Sequence, residues 1–417
     1  MIYCKRCVTP DTRPRIEFDD EGICNACRYA EQKQRINWTA KTKELKEIAK
    51  MYKSKKVKYD CIVPASGGKD SHFQAYYAKN ILELNPLVVT FMPAMPTEIG
   101  NRNRRNLVEK VGVDHIAVTP NSQIHRQLCR IMFREHGNPF LPWIQGIFSS
   151  AAQIAVEKDI PLILYGENGE AEYGGTTKGK ESESLDEGGV KLRVRSDRHN
   201  WIGPHNWHKY GIPKKDLIPY IEPSLEKQMQ LGLRRLFMGD YVPWSNNQNL
   251  YFAMNVIGGF KLSEKRTVGT YTCGASIDDD IDEIYLWLLW VKFGFARASK
   301  SGSPDIREGK LDRKTAIELV RRYDGEFPWH VFDSVLEYLE IDEEEFWETI
   351  RRFVGDQENI ARERQEALEM GIPEVKIRRR VCAWEKIDEN KWRHVGTIHG
   401  EERILEVSQK RPTKISL

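Results

Sequence analysis

The sequence predicts an α/β protein in which a parallel sheet is preceded by a small cysteine-rich module and followed by a mainly helical region. Three features support this prediction: four cysteines within the first 27 residues, alternating short apolar runs and amphipathic segments between residues 59 and 165, and helical periodicity from Asp278 to about Met370. Strands that alternate with helices are typical of a parallel sheet, because parallel strands need crossover connections. The predicted domains are residues 1–35, 36–260 and 261–417.

The composition is that of a globular protein. The chain has 417 residues, of which 40% are hydrophobic and 30% charged, and its net charge of +3 does not favour a polyanionic partner such as nucleic acid. The first residues lack the apolar segment of a secretory leader. The longest apolar stretch, residues 284–295, contains Lys292 and is shorter than the roughly 18–20 residues that span a bilayer. We therefore expect a cytoplasmic protein without a membrane segment.

The cysteines at the start of the chain form two pairs. Cys4 and Cys7 are separated by two residues, as are Cys24 and Cys27, and 16 residues lie between the pairs. One tight turn can direct both sulfurs of a pair at a single ion, and two such turns complete a tetrahedron. The spacing predicts a closed zinc site that stabilises a segment with little core of its own. An iron–sulfur cluster is the alternative, since four thiolates can also hold one.

Apolar runs rich in β-branched residues predict the strands of the sheet, and the segments between them predict its helices. The predicted strands are residues 59–64, 86–92, 114–119, 160–165 and about 236–241. The predicted helices are residues 71–84, 101–111, 122–135 and 142–158, after an amphipathic helix from residue 38 to about 56. Residues 166–215 are rich in Gly, Glu, Lys and Asn. They predict a long loop, which in a compact domain is usually functional.

The turn after the first predicted strand carries the hexapeptide SGGKDS at residues 66–71. Its glycines allow backbone amides to approach anionic oxygens, its serines supply hydroxyl donors, and the next helix directs its positive end at the ligand. Lys69 adds a cation, and Asp70 is placed to hold Mg²⁺ beside the phosphates. This pattern differs from the Walker loop and predicts another kind of phosphate cradle. Glycines that serve turn geometry alone are the alternative.

The hexapeptide resembles the SGGxDS signature of the PP-loop ATP pyrophosphatases, whose fold is adenine nucleotide alpha hydrolase-like. These enzymes include GMP synthetase, asparagine synthetase and tRNA-thiolating enzymes. In that superfamily ATP is cleaved between its α- and β-phosphates, pyrophosphate occupies the loop, and a substrate oxygen is adenylylated. Phe91 lies where the superfamily's adenine-binding backbone falls. The resemblance implies an ATP site formed by Ser66, Gly67, Gly68, Lys69, Asp70, Ser71 and Phe91.

A second polar loop follows the fourth predicted strand. Because ligands bind at the carboxyl edge of a parallel sheet, we expect Glu167 and Asn168 to face the same crevice as Lys69. Glu167 can ligate Mg²⁺ or orient an attacking amine, and Asn168 can donate to the α-phosphate or to an amide oxygen. We therefore predict four catalytic residues: Lys69, Asp70, Glu167 and Asn168. An ordinary polar loop is the alternative for the second segment.

Several segments together resemble the bacterial N-acetyl sugar amidotransferases, which form acetamidino groups in O-antigen and nonulosonic acid biosynthesis. The resemblance covers the chain from Tyr3 to about Phe327, and the combination of cysteine ribbon and SGGKDS loop is its specific part. The segments that carry it are residues 3–14, 20–27, 66–71, 166–175 and 292–298.

That resemblance implies a reaction, its cofactors and its partners. The acetamido oxygen of a nucleotide-activated N-acetyl sugar attacks the α-phosphate of ATP, and ammonia then displaces AMP to leave an acetamidine. The implied cofactors are ATP, Mg²⁺ and Zn²⁺. No glutaminase segment is recognisable in the sequence, so ammonia is expected from a separate glutaminase with a cyclase-like ammonia-channel protein. Tyr173, Lys292 and Arg297 are candidate substrate contacts, although Tyr173 can equally pack in the core and Lys292 can cap a helix.

Two other functions fit parts of the pattern. A tRNA-thiolating enzyme also joins a similar loop to paired cysteines, but its chemistry generally needs further thiols near the ATP site, and the sequence contains no further cysteine pair downstream of the N-terminal ones. A non-catalytic nucleotide-binding subunit is the other alternative. The intact loop with both Lys69 and Asp70 argues against it.

Overall fold

The structure is a computed structural model that describes residues 2–53, 57–175, 203–355, 384–388, 390–394 and 404–406. Within these ranges, no helix combines the length and the apolar character needed to cross a bilayer.

A five-stranded parallel sheet forms the centre of the protein, with the strand order β3-β2-β1-β4-β5. Its strands are β1 Cys61–Pro64, β2 Pro86–Phe91, β3 Asp114–Val118, β4 Leu162–Tyr165 and β5 Arg234–Phe237. The predicted α/β class is confirmed. The first four strands lie within two residues of their predicted bounds, whereas β5 begins two residues and ends four residues earlier than predicted. The strand order places β1 between β2 and β4, with Ile62 opposite Ile163. The loops after β1 and β4 therefore leave the sheet side by side.

Helices connect the strands and continue to residue 258. They are α1 Asn25–Lys33, α2 Trp38–Tyr52, α3 Lys69–Tyr76, α4 Glu98–Val111, α5 Ser122–His136, α6 Leu141–Glu157, α7 Gly169–Glu172, α8 Leu225–Leu231 and α9 Asn246–Tyr251. Short 3-10 segments occur at Pro204–Tyr210 and Lys214–Tyr220, and π-helical turns extend α3 and α9 at Tyr77–Ile81 and Phe252–Gly258.

The helices cover both faces of the sheet, which gives it two separate apolar cores. Val63 and Val88 face the core that contains Leu45 of α2 and Leu107 of α4. Ile62, the neighbour of Val63, faces the opposite core, where alanines of α6 pack against the sheet. This alternation follows from the two-residue period of a strand. Because both faces are covered, strand β2 is buried along its whole length, which explains why its sequence is apolar except for Thr90.

Local signals set the ends of the helices in this region. The Thr97 hydroxyl accepts a hydrogen bond from the Gly100 amide at the start of α4, 2.9 Å away. The helix ends at Gly112, whose left-handed backbone conformation (φ 70°) ends the helical repeat. Asn121 caps α5 in the same way, and Gly137 ends it. The predicted helices are therefore confirmed with small shifts at their ends.

The region after the sheet is mostly helical, as predicted, and it also contains a small antiparallel sheet that the sequence did not predict. The helices are α10 Ile281–Phe293, α11 Arg297–Arg307, α12 Arg313–Tyr323, α13 Trp329–Leu339 and α14 Glu343–Gly355. The strands are β6 Trp384–Asp388, β7 Lys391–His394 and β8 Ile404–Glu406. Strand β6 buries only Trp384, so its sequence lacks the regular alternation that signals a strand. The end of the predicted helical stretch, residues 356–370, lies outside the described residues.

An aromatic core holds these helices together. Trp287 of α10 packs edge-on against Phe327, with ring centroids 4.7 Å apart, and α13 and α14 add Phe332 and Phe346 at a centroid distance of 4.9 Å. Phe133 of α5 stacks on Phe346 at 5.1 Å. Because α5 also packs against the central sheet region, this core joins the helical region to the sheet. The three-domain division of the chain stays a prediction.

The cysteine module docks on the same helical region through hydrogen bonds to its backbone. Arg313 donates to the carbonyl oxygens of Cys4, at 2.9 Å, and of Cys7, at 3.2 Å. The hydroxyls of Thr9 and Ser303 lie 3.0 Å apart. These contacts hold residues 4–9 against α11 and α12.

Replacing Arg313 with methionine should lower the thermal stability of the protein. The substitution removes both hydrogen bonds to the module's carbonyls, at a cost of about 1–3 kcal/mol, while it keeps much of the apolar stem. Thermal denaturation measures the effect. Lys314→Met is the matched control, because Lys314 is exposed on the same helix. Equal melting temperatures for the two variants would contradict the docking role of Arg313.

Candidate functional site

The SGGKDS loop forms a tight turn between β1 and α3. Gly67 has a φ of +93°, a conformation that favours glycine. A Cβ at Gly67 would lie 2.4 Å from Cγ and 2.9 Å from the backbone nitrogen of Arg104, so no larger residue fits there. The Gly68 amide lies 3.3 Å from the Ser66 hydroxyl oxygen. The turn thus brings the backbone of the loop to the amino end of α3, where amides can meet an anion.

This loop lies at the end of the central strand of a five-stranded parallel sheet. The fold class is therefore α/β. We call residues 66–71 the PP-loop, after the signature that they resemble. A four-cysteine ribbon precedes the sheet and a mainly helical region follows it.

Lys69 and Asp70 lie at the start of α3 and are partly exposed. The Lys69 ammonium is 2.6 Å from one carboxylate oxygen of Asp70. The other oxygen accepts a hydrogen bond from the Asn249 amide at 2.8 Å. Asn249 is buried on α9, and the sequence analysis missed it, because only tertiary structure brings a helix 179 residues later to the loop. The carboxylate is therefore held in one orientation at the mouth of the PP-loop.

Arg104 and His72 also support the loop, and neither was predicted. Arg104 donates to the Ser66 carbonyl oxygen at 3.4 Å, while its stem packs over Gly67. The His72 ring lies 2.9 Å from the Gly68 carbonyl oxygen, and burial lowers the pKa of His72. Arg104 places a cation beside the loop, where it can add to the attraction for phosphate.

Glu167 follows β4 and lies in the same crevice as the PP-loop. Burial raises the pKa of Glu167, and the nearby Asp70 carboxylate raises it further, whereas Lys69 lowers it. The Tyr173 hydroxyl donates to Glu167 at 3.2 Å. The structure thus brings together side chains from the PP-loop and from the loop after β4, because β1 and β4 are neighbouring strands.

Asn168 begins the short helix α7. Its carbonyl oxygen accepts hydrogen bonds from Ala171, at 3.0 Å, and Glu172, at 2.9 Å, and its side chain forms no cap hydrogen bond. Among the residues that the structure describes, the side-chain amide has no hydrogen-bond partner, so it can meet a ligand. Its predicted catalytic role, like those of Lys69, Asp70 and Glu167, stays a prediction.

Phe91 lies at the carboxyl end of β2 with its side chain buried. Its carbonyl oxygen accepts a hydrogen bond from the Trp143 indole at 3.1 Å. Its ring lies 5.9 Å from the rings of His125 and Tyr220, measured between centroids. The ring therefore belongs to a packed core, and the binding of adenine by the backbone here stays a prediction.

Lys292 and Arg297 have their contacts in the helical region. The Lys292 ammonium donates to the His136 carbonyl at the end of α5, 2.8 Å away, which is the geometry of a helix cap. Arg297 forms an ion pair with Asp282 at 2.6 Å and donates to the Ser276 hydroxyl at 2.5 Å. Substrate binding by either residue stays a prediction.

The four paired cysteines come together as one buried cluster, with all sulfur atoms within 4.8 Å of one another. The Sγ–Sγ distances are 3.9 Å between Cys4 and Cys27 and 3.7 Å between Cys7 and Cys24. A tetrahedral ion with metal–sulfur bonds of about 2.3 Å requires separations of about 3.8 Å. The predicted cluster therefore fits a single thiolate-bound metal ion.

Comparisons with known proteins cover parts of the chain. Residues 266–373 match the family model of the WbpG-like LPS biosynthesis protein, C-terminal domain. Over 114 residues, 27% of this chain, the sequence is 32% identical to the uncharacterized protein MJ1599 of Methanocaldococcus jannaschii, and this match spans only 41% of that protein. A structural comparison aligns this chain with the U34-tRNA thiolase NcsA from Methanococcus maripaludis, which was solved with its 4Fe–4S cluster. The alignment covers 79% of this chain and 90% of the thiolase chain, at 13% sequence identity and a TM-score of 0.24. That score supports no structural argument.

Replacing Cys24 with serine should release the metal ion and destabilise the protein. Loss of one thiolate opens the site, and because metal binding contributes to folding, the free energy of unfolding should fall by about 3 kcal/mol or more. Elemental analysis and thermal denaturation measure both effects. Cys273→Ser is the control, since Cys273 is a partly exposed cysteine outside the cluster. A metal-loaded Cys24→Ser protein of unchanged stability would refute the closed site.

Replacing Glu167 with glutamine should stabilise the protein at pH 8 but not at pH 4. Burial and Asp70 raise the pKa of Glu167 in the folded protein above its usual 4.5. The folded state therefore binds this proton more tightly than the unfolded state does, and the free energy of unfolding falls as the pH rises through the folded pKa. Glutamine stays neutral and avoids this loss. Melting temperatures at both pH values test the prediction, with exposed Glu157→Gln as control. A Glu167→Gln protein that is less stable than wild type at pH 8 would contradict it.

Proposed function

We propose that the protein is an ATP-dependent, AMP-forming amidotransferase that acts on a nucleotide-activated N-acetyl sugar in surface polysaccharide biosynthesis. The observation that carries this proposal is the crevice in which the PP-loop, Asp70 and Glu167 come together. The match of residues 266–373 to a WbpG-like LPS biosynthesis domain supports the pathway.

The reaction proceeds in two balanced steps. The acetamido oxygen attacks the α-phosphorus of ATP, the bond to the β-phosphate oxygen breaks, and pyrophosphate leaves. Ammonia then adds to the imidate carbon, AMP departs with the former acetamido oxygen, and the loss of protons leaves an acetamidine. Adenylylation is needed because an amide cannot expel its oxygen unaided, whereas AMP is a good leaving group.

Residues of the PP-loop hold the nucleotide for the first step. Backbone amides at Gly67 and Gly68 and the amino end of α3 bind the leaving pyrophosphate, and Lys69 offsets its charge. Asp70 would hold Mg²⁺ with the phosphate oxygens, and that ion would neutralise charge on the phosphates. The orientation of Asp70 by Asn249, 2.8 Å away, suits it to this role.

Glu167 acts in the second step. A carboxylate with a raised pKa is a better proton acceptor near neutral pH than an ordinary one. Glu167 therefore takes a proton from the nitrogen as it attacks, while Tyr173 orients the carboxylate through its hydrogen bond. Ammonia is supplied by a separate glutaminase and a cyclase-like ammonia-channel protein.

The cysteine cluster holds Zn²⁺ in a structural role. Two of its Sγ–Sγ separations, 3.9 and 3.7 Å, match the edge of a tetrahedron around one ion, and all four sulfurs lie within 4.8 Å of one another. In a 4Fe–4S cluster each thiolate binds a different iron, so the sulfurs lie farther apart. All four thiols are buried, and a full set of thiolates leaves no open coordination position for catalysis.

The remaining cysteines argue against tRNA thiolation. Cys61 and Cys129 are fully buried, and burial raises the pKa of both thiols, so neither can act as a nucleophile on sulfur. Cys273 is partly exposed, and Cys382 lies outside the described residues. If tRNA copurified with the protein, and its affinity for the protein fell steeply with rising salt concentration, the tRNA-thiolation hypothesis would be favoured instead.

The wild-type protein should release pyrophosphate and AMP when mixed with ATP, Mg²⁺, ammonium and nucleotide-linked N-acetyl sugars. Mass spectrometry should show a product in which NH replaces one oxygen. Asp70→Asn should reduce turnover by about a hundredfold or more with the fold intact, because the carboxylate that holds the ion is lost. Asp114→Asn, an exposed change at the opposite edge of the same sheet, should leave turnover unchanged.

Normal turnover of the Asp70→Asn protein would refute the role of this carboxylate. An absence of pyrophosphate release across a panel of acetamido sugars would instead favour a non-catalytic nucleotide-binding subunit.

A further inference from the structure

A cleft lies between the cysteine module and helix α11, next to the proposed catalytic crevice. It is a narrow cleft that is partly open to solvent. Tyr173 lines this cleft, and its hydroxyl donates to Glu167 at 3.2 Å. The ring of Tyr173 therefore borders the cleft at one end and meets the catalytic carboxylate at the other.

Three cationic side chains line the cleft: Arg13, Lys300 and Arg307. The Arg307 guanidinium already donates one hydrogen bond, to the Glu172 carbonyl oxygen at 3.2 Å. The Lys300 ammonium and the Arg13 guanidinium have neither a hydrogen bond nor an ion pair with any residue in the described ranges. The Arg13 Nε atom is buried without a partner. Both residues are partly buried, and the Arg13 guanidinium lies over the Phe295 ring, 5.9 Å from its centroid. Cations removed from water are normally paired with an acidic group, so two such cations without an acidic partner favour the binding of an anion in the cleft.

The electrostatic state of Lys300 supports this interpretation. Burial, together with the positive charges of Arg297 and Arg13, lowers the pKa of Lys300 to about 7. Asp282 is the acidic group that opposes this shift, but it is already paired with Arg297. A doubly charged anion in the cleft would favour the charged form of Lys300.

We propose that this cleft binds the diphosphate of the nucleotide-linked sugar, with Lys300 and Arg13 as its main contacts. The identity of the anion rests on the proposed function. The phosphates of ATP occupy the PP-loop, and the acetamido group must reach Glu167. A diphosphate attached to the same sugar then falls on the other side of Tyr173, at the two unpaired cations.

The shape and charge of the cleft favour a small anion over a polymer. Thr9 and Ser303 line it together with Arg13 and Lys300, so the donors converge on a small volume. A nucleic acid backbone is instead bound along an extended basic surface, and the net charge of the chain is only +3.

The test measures the affinity of the full-length protein for UDP-N-acetylglucosamine by calorimetry. Mg²⁺ and α,β-methylene-ATP are kept saturating, so that the PP-loop is filled and cannot bind the probe. Lys300→Met and Arg13→Gln should each raise the Kd for the probe by about tenfold. Lys300→Arg keeps the charge and should bind nearly as wild type does. Lys314→Met removes an exposed positive charge outside the cleft and should leave the Kd unchanged.

Two ligand controls separate the diphosphate from the sugar. UDP alone should show the same dependence on Lys300, whereas free N-acetylglucosamine should not. The Kd of each variant for α,β-methylene-ATP should match that of wild type, and its melting temperature should be no lower, which excludes a folding defect.

An unchanged probe affinity in both Lys300→Met and Arg13→Gln overturns the proposal, as does a wild-type protein that does not bind the probe. Binding of tRNA that depends on Lys300 would overturn it in favour of a nucleic acid phosphate. Acetamidine formation with unchanged probe affinity would reject the cleft and leave the proposed function standing. Probe binding that depends on Lys300, without turnover of any sugar, would reject the proposed reaction but retain the cleft.

Discussion

The parallel pairing of β1 and β4 is the constraint on which the rest of the site depends. Both strands are fully desolvated by helices on the two faces of the sheet, so their register is fixed by the need to keep each apolar side chain in its own core. Their carboxyl ends then lie side by side. The PP-loop after β1 and the Glu167 loop after β4 are therefore presented to one ligand by a rigid element.

Two charges near the proposed ligands, one in the crevice and one in the cleft, are costly for the folded protein. Glu167 has a raised pKa because it is buried beside Asp70, and Lys300 has a lowered pKa because it is buried beside two arginines. Such groups reduce stability. The aromatic core around Trp287 and Phe346 offsets part of this cost through apolar burial. Enzymes commonly combine destabilising charged groups near their ligands with stabilising apolar packing farther away.

The cysteine module links metal binding to the proposed substrate cleft. Arg13 belongs to this module, which is anchored on α11 and α12 by Arg313 and by the contact between Thr9 and Ser303. Lys300 belongs to α11 itself. A metal ion that fixes the fold of the module would therefore also fix the position of Arg13 opposite Lys300, without touching the substrate. This gives a physical reason for a structural metal site at a distance from the proposed catalytic crevice.

The sequence by itself determined the α/β class, the five strands of the parallel sheet, the cysteine cluster and the PP-loop, because each depends on short-range periodicity or on the spacing of a few residues. It did not determine the small antiparallel sheet, where Trp384 is the single buried residue of β6. Nor did it identify Asn249 as the partner of Asp70, or the cleft shared by Arg13 and Lys300. These residues are separated by 179 positions in the first case and lie in different regions of the chain in the second. Only tertiary packing decides which distant side chains meet, and whether burial leaves a charge paired or unpaired.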